Sequence, residues 1–144
     1  MPNSHTCILI HYVFTPLDRR PMFANADRKR ILDYISGIVL NYQGTLYSGY
    51  IMRDHVHLLV HIHPKHSVAE MAQVIKANSS KFINSEKLVP GRFSWGQGYG
   101  AFSCSISQME IVKRYIQNQE EHHKVRDSDE EFRELLKRHN IENV

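Results

Sequence analysis

Residues 54–63, DHVHLLVHIH, alternate between aliphatic side chains and histidines. An alternation with a period of two is typical of a β-strand, because successive side chains point to opposite faces of a sheet. One face would carry Val56, Leu58, Val60 and Ile62. The opposite face would carry His55, His57, Leu59, His61 and His63. The segment therefore predicts a sheet with an apolar core on one side and a row of histidines on the other.

The whole sequence predicts four strands and four helices. Strands are predicted at 56–63, within the segment just described, and at 6–14, 45–52 and 101–106, where β-branched and aromatic residues are frequent. Helices are predicted at 25–42, 67–83, 107–123 and 128–138, from apolar residues at helical spacing. Ser67 with Glu70 and Ser107 with Glu110 have the S-x-x-E pattern of a capping box.

The order of these segments, β-α-β-β-α-β-α-α, predicts an α+β fold. We expect an antiparallel sheet of about four strands with helices packed on it, in a ferredoxin-like or RRM-like arrangement. The chain has 144 residues and shows no linker or repeat, so residues 1–144 are predicted to form one domain.

Composition excludes the disordered and the fibrous classes of protein. With 42% hydrophobic and 23% charged residues the chain is typical of globular proteins, and its net charge of +3 permits nucleic acid as a partner without requiring it. No apolar run approaches the length needed to span a bilayer, so no membrane association is expected. Cys7 and Cys104 lack metal-type spacing and lie in apolar, strand-like segments. We expect two buried, free thiols in a cytoplasmic protein.

His55 and His57 are the first candidates for chemistry. Two residues apart on one strand, they would point to the same side with roughly 6–7 Å between them. Two imidazoles at this spacing can converge on one metal ion. The alternative is that both are surface histidines on the solvated face of a hairpin.

The second candidate is a pair on the third predicted helix. Tyr115 and Gln119 are four residues apart and would lie on one helix face, while Val112 and Ile116 would pack the helix against the core. The alternative is a core tyrosine beside a solvent-facing amide. The polar residues at 117–123 favour a functional role over that alternative.

A glycine-rich segment at 91–100 offers candidate DNA contacts. Phe93, Trp95 and Tyr99 lie among its glycines beside Arg92, an arrangement suited to stacking on single-stranded bases. The basic residues that could follow a phosphate backbone are Arg19, Arg20, Lys76, Lys81 and Lys87. The alternatives are a solvated basic surface for these side chains and a packing role for the aromatic residues.

Taken together, these motifs resemble a known family. His55-Val56-His57 resembles the HUH motif, histidine-hydrophobic-histidine, and Tyr115 with Gln119 resembles the catalytic helix of the single-tyrosine transposases of the insertion-sequence-200/605 type. REP-associated tyrosine transposases share this domain. Further segments with a familial appearance are 19–21 (RRP), 76–84 (KANSSKFIN), 95–102 (WGQGYGAF) and 115–123 (YIQNQEEHH).

The resemblance implies a DNA transposase. It implies a divalent metal, Mg²⁺ or Mn²⁺, held by His55, His57 and Gln119, with Tyr115 as the nucleophile on a C-terminal helix. It also implies cleavage and rejoining of single-stranded, hairpin-bearing DNA through a 5′-phosphotyrosine intermediate, by a homodimer that acts at the nucleoid of a prokaryotic cell. The DNA contacts expected on this basis are Arg19, Arg20, Lys76, Lys81, Arg92 and Trp95.

Two other functions remain open at this stage. The chain could be a catalytically silent or host-serving relative that binds hairpin DNA, as opposed to the transposase of a mobile element. It could also be a metal-dependent hydrolase that activates water at the histidine strand, with Tyr115 in a structural role.

Overall fold

The computed structural model describes residues 3–20, 23–123, 127–139 and 141. Its strands are β1 (Leu9–Phe14), β2 (Thr45–Ile51), β3 (Val56–His61) and β4 (Gly100–Cys104). Its α-helices are α1 (Asn25–Asn41), α2 (Val68–Ser85), α3 (Met109–Gln117), α4 (Gln119–His123) and α5 (Ser128–Arg138). Short 3₁₀ helices follow β1 at Leu17–Arg19 and precede α3 at Ile106–Gln108.

The four strands form one antiparallel sheet in the order β2-β3-β1-β4. Together with the element order, this arrangement confirms the predicted α+β, ferredoxin-like fold. Strands β1 and β3 pair at the centre, where Val13 lies opposite His57 and His11 lies opposite Leu59. The central pairing therefore brings the histidine side of β3 next to a histidine of β1.

The aliphatic side of the sheet packs against α1 and α2. Helix α2 begins at the predicted cap, where Ser67 Oγ accepts a hydrogen bond from the Glu70 backbone N–H at 2.9 Å. The main core contains strand residues Ile10, Tyr12, Phe14, Val56, Leu58 and Val60 and helix residues Ile31, Ile35, Met71 and Ile75. Burial of each large side chain contributes about 1.5–3 kcal/mol. The predicted core face of β3 is thus confirmed.

The histidine side of the sheet is covered as well. Leu59 packs with Ile116 of α3, and Val13 packs with Leu135 of α5. Beneath these helices His55 and His57 are 2% and 0% exposed. The alternative that they are surface histidines is therefore wrong, because a second layer of helices excludes water from this side.

The third helix differs from its prediction. It was expected to run from a Ser107 cap through about His123, but α3 begins at Met109 without a side-chain cap and ends at Gln117. Ser107 Oγ instead contacts Ser105 Oγ at 3.0 Å. Asn118 leaves the helical conformation, with φ −99° and ψ 26°, and α4 starts at the next residue. The break allows the side chains on either side of it to take different directions.

The two thiols are free, but the prediction that both are buried was wrong. Cys7 is exposed and Cys104 is partly buried. Cys7 precedes the first paired residue of β1, so neither sheet neighbour covers it. In the part of the chain that the structure describes, no helix combines the length and apolarity required to cross a bilayer.

Candidate active site

The two histidines of the H-x-H motif lie side by side in the buried layer between the sheet and helices α3 to α5. Their rings are 5.1 Å apart between centroids and nearly perpendicular, at 83°. His55 directly precedes β3 and His57 is its second residue, so strand alternation directs both side chains to the same side. Asp54 Oδ1 accepts a hydrogen bond from His55 Nδ1 at 2.8 Å, which leaves Nε2 directed into the site.

Glu131 of α5 joins the two histidines. Its Oε1 lies 2.7 Å from His57 Nε2 and 3.9 Å from His55 Nε2, and its side chain is 3% exposed. One ligand atom from each of the three residues lies within 4.8 Å of the others. Two imidazoles and a carboxylate are ligands that Mn²⁺, Mg²⁺ and Zn²⁺ accept, and the cluster therefore fits a divalent cation.

Sequence reasoning missed Glu131 because the last helix is predominantly charged. The available signal was its position one turn before Leu135, a residue on the apolar side of α5. A carboxylate on the buried side of a helix needs a cationic or hydrogen-bonding partner. That requirement could have indicated its contact with the histidines.

Gln119 is the third residue expected in the metal site, and the structure places it next to His55. Its side chain is fully buried, with Oε1 3.2 Å from His55 Nε2. The amide nitrogen donates to the Tyr115 backbone carbonyl at 3.3 Å, which keeps the side chain against α3. Gln119 and Glu131 therefore approach the histidine pair from two different helices.

Tyr115, the expected nucleophile, lies beside the same histidines of its own chain. Its ring centroid is 6.0 Å from that of His57 and 6.3 Å from that of His11, both in edge-to-face orientation. The Arg138 guanidinium of α5 lies over the ring, 5.9 Å from its centroid. Tyr115 is partly buried and packs at the edge of the cluster formed by Leu9, Leu59 and Ile116.

His11, which was not among the residues predicted for the site, completes the group. It is 4% exposed, and its Nε2 shares a hydrogen bond of 2.8 Å with His57 Nδ1. Burial, and to a smaller extent the neighbouring His57, hold the pKa of the His11 imidazole well below its usual value. The signal in the sequence was an imidazole within the apolar strand segment 8–14.

A cleft of about 280 Å³ leads to this cluster between α5 and the segment 97–100. His55 and Glu131 lie in its wall together with Arg19, Tyr99 and Phe132. Arg19 also forms an ion pair with Asp129 at the start of α5. An anion entering the cleft would thus approach the histidines past an arginine.

The six expected DNA contacts fall into two groups. Lys81 and Arg92 are exposed, and Arg19 and Arg20 retain exposed side chains with ion-pair partners Asp129 and Asp18. The second group is largely buried or bonded. Trp95 is 9% exposed, and its indole N–H donates to Ser79 Oγ at 2.9 Å. Lys76 donates to the carbonyls of Gly96 and Gly98 at 2.8 and 2.9 Å. Trp95 and Lys76 hold the glycine-rich segment in place, which supports the packing alternative for Trp95 and gives Lys76 a structural contact that the solvated-surface alternative did not include.

Comparison with known proteins identifies the family. The description "Transposase IS200 like" matches residues 4–119, a segment that contains His55, His57, Tyr115 and Gln119 and ends before Glu131. The chain therefore belongs to the IS200-like transposase family. No curated protein sequence matches it.

Two solved structures are similar to this chain. One is a protein from Deinococcus radiodurans R1, provisionally described as a transposase, with 19% identity and a TM-score of 0.63 over 81% of this chain and 94% of that one. The other is a REP-associated tyrosine transposase bound to a REP hairpin, with 10% identity and a TM-score of 0.62 over 84% of this chain and 72% of that one. At these identities the likeness concerns the fold.

Proposed function

We propose that this protein is a single-tyrosine transposase that cleaves and rejoins single-stranded DNA at the cluster of His55, His57, Gln119 and Glu131. The observation that carries the proposal is the position of the Tyr115 ring beside His57 of the same buried cluster, at 6.0 Å between centroids. A tyrosine with a purely structural role has no need of an adjacent group of metal-ligating side chains.

The proposed reaction is a transesterification. The Tyr115 phenol oxygen forms a bond to a DNA phosphorus while the bond from that phosphorus to the 3′ oxygen breaks. The phenol loses its proton, and the departing 3′ oxygen gains one to become a hydroxyl. The 5′-phosphotyrosine keeps the energy of the broken ester, so a 3′-hydroxyl can later attack it and reseal the strand without a nucleotide cofactor.

We infer that His55 and His57 would hold a divalent cation, Mg²⁺ or Mn²⁺, with oxygen ligands from Gln119, Glu131 or both. When bound, such a cation neutralises a phosphate oxygen and favours in-line attack. The chain's own contribution is a buried site of preset geometry that borders the cleft at His55 and Glu131. Asp54 orients the His55 ring, and helices α3 and α5 exclude water from the imidazoles.

The proposed substrate is single-stranded DNA that carries a hairpin, and a structural neighbour, the REP-associated tyrosine transposase, was solved bound to a REP hairpin. Exposed Lys81 and Arg92 and the arginines near the cleft, Arg19 and Arg20, are the proposed phosphate contacts. We further propose a homodimer of one-domain chains that acts at the nucleoid of a prokaryotic cell, as the resemblance to this family implies.

The test is a covalent-adduct assay with labelled hairpin DNA and Mn²⁺. We expect wild-type protein to form an adduct that survives denaturation, and Tyr115→Phe to form none, a loss of at least about 10³-fold, because phenylalanine lacks the attacking oxygen. EDTA should abolish the adduct as well. Tyr47→Phe is the matched control, because Tyr47 is an exposed tyrosine of β2 and should retain full activity.

Two outcomes would contradict this function. Cleavage that persists in Tyr115→Phe but disappears in His57→Ala would favour a hydrolase that activates water. Hairpin binding by the wild-type protein with neither adduct nor cleavage would favour a catalytically silent or host-serving DNA-binding relative.

A further inference from the structure

His11 of β1 is a buried histidine outside the H-x-H motif, and its ring contacts the motif directly. The two ring centroids of His11 and His57 are 5.0 Å apart, and His11 Nε2 lies 2.8 Å from His57 Nδ1. The antiparallel register explains the contact, since His57 lies opposite Val13 on β1 and His11 is two residues away on the same face.

We propose that His11 is a positioning residue, whose Nε2 accepts the His57 Nδ1–H when His57 Nε2 binds the divalent cation. This inference rests on the metal site proposed above. It adds a residue of β1, which neither the H-x-H motif nor the tyrosine helix contains.

The ring nitrogens of His11 and His57 limit which of them can donate the hydrogen bond. A neutral imidazole carries one N–H and one lone pair, so a hydrogen bond between two such rings needs a donor on one ring and an acceptor on the other. A cation on His57 Nε2 takes up that lone pair and leaves the proton on Nδ1. His11 must then present an unprotonated Nε2, with its own proton on Nδ1.

With both rings neutral and no cation bound, the same pair takes the opposite arrangement. Glu131 Oε1 lies 2.7 Å from His57 Nε2, and a carboxylate can only accept, which places the His57 proton on Nε2. His57 Nδ1 then accepts from His11 Nε2–H. The hydrogen bond at 2.8 Å is kept in both states while its direction reverses.

The two motif histidines thus differ in how they are oriented. His55 Nδ1 has a carboxylate partner, Asp54, at 2.8 Å, whereas His57 Nδ1 has an imidazole that can both give and accept a proton. The outer partner of a metal-ligating histidine sets the ring's tautomer and orientation, and its loss typically lowers metal affinity by about 10–100-fold. A hydrocarbon at position 11 would fill the space but could not accept the proton.

The decisive experiment measures Mn²⁺ affinity and histidine tautomers without DNA. We expect His11→Leu to weaken Mn²⁺ binding by about 10–100-fold, and His11→Gln to restore most of it, because the glutamine carbonyl can accept the His57 proton. His61→Leu on β3 is the matched control and should leave the affinity unchanged, since His61 Nε2 donates to the Thr6 backbone carbonyl, at 3.3 Å. Thermal unfolding of each variant checks that it folds.

A second readout needs no variant of His11. In wild-type protein labelled with ¹⁵N-histidine, the His57 proton should lie on Nε2 without cation and on Nδ1 with saturating Mg²⁺, and the resonances can be assigned with His57→Gln. Wild-type Mn²⁺ affinity in folded His11→Leu, or a His57 proton that remains on Nε2 with Mg²⁺ bound, would overturn the role of His11 alone. A wild-type protein that binds neither ion would overturn the metal site of the proposed function, and this inference with it.

Discussion

At the scale of residues, the candidate site consists of buried polar groups that contact one another. His57 contacts His11 at one ring nitrogen and Glu131 at the other, and His55 contacts Asp54 and Gln119 in the same way. Burying such groups without partners would cost several kcal/mol in total, on the order of 1–3 kcal/mol for each. Removing one member would therefore cost a buried partner one of its hydrogen bonds.

A substitution at Glu131 tests whether its carboxylate is a metal ligand. Glu131→Gln keeps the size of the side chain but removes its negative charge, and we expect Mn²⁺ affinity to fall by about tenfold or more because an amide is a weaker ligand than a carboxylate. The matched control is Glu130→Gln on the same helix, where the side chain is exposed. Isothermal titration with Mn²⁺ measures both, and equal affinity in the two variants would exclude Glu131 as a ligand.

At the scale of elements, the break at Asn118 decides how the tyrosine helix meets the sheet. Before the break, Gln117 Nε2 donates to Ser48 Oγ of β2 at 2.8 Å. After it, Gln119 enters the buried site and Glu120 contacts Arg28 of α1 at 3.4 Å. An unbroken helix would rotate successive side chains by a constant angle, whereas the break lets three near neighbours reach three separate partners.

Helix α2 fixes the glycine-rich segment in a similar manner. Lys76 and Ser79 bond the segment at Gly96, Gly98 and Trp95, and Asn84 bonds both backbone polar groups of Phe93, at 2.7 and 3.0 Å. Lys76 is half-buried, and this burial lowers the pKa of its ammonium group. The segment that borders the cleft is thus held by side chains of one helix.

We predict different effects for the two lysines of α2. Lys76→Met should lower the free energy of unfolding by about 1 kcal/mol or more, because two carbonyl groups lose a charged donor. Lys81→Met should leave the free energy of unfolding unchanged, because Lys81 is exposed. It should weaken hairpin binding and make that binding less dependent on salt concentration. Urea denaturation and binding at two salt concentrations measure these effects, and equal stability of both variants would contradict the anchoring role.

At the scale of the whole molecule, the sheet separates two layers with different tasks. Helices α1 and α2 form the main core on one side, while α3 and α5 enclose the histidines on the other. The contacts of Gln117 with Ser48 and of Glu120 with Arg28 hold the tyrosine region against β2 and α1 of the same chain. Tyr115 consequently lies beside His57 of its own chain.

This arrangement predicts that the tyrosine acts in cis. A mixture of Tyr115→Phe and His57→Ala proteins should form no covalent DNA adduct above the level of either variant alone, because no single chain has both groups. A mixture of each variant with wild-type protein serves as the control for activity. Robust adduct formation in the mixture of the two variants would show that the tyrosine helix serves a partner subunit.

Patterns in the sequence determined several elements of this fold and the placement of the motif histidines. Alternation in residues 54–63 determined the strand and placed His55 and His57 on one face, and the Ser67–Glu70 capping box determined the start of α2. The ferredoxin-like order followed from the succession of elements, and the resemblance of the motifs identified the family that residues 4–119 then matched. The strand and the helix cap depend on neighbours within a few residues along the chain, and the order of elements and motifs is read from the sequence itself.

Only the tertiary structure decided which distant groups meet the histidines. His11 contacts His57 across 46 residues and Glu131 contacts it across 74, through the pairing of β1 with β3 and the docking of α5. The burial of Trp95 and the break at Asn118 likewise depend on contacts made elsewhere in the fold. Such contacts are selected by the packing of whole elements, and a residue type at one position does not specify its partner at another.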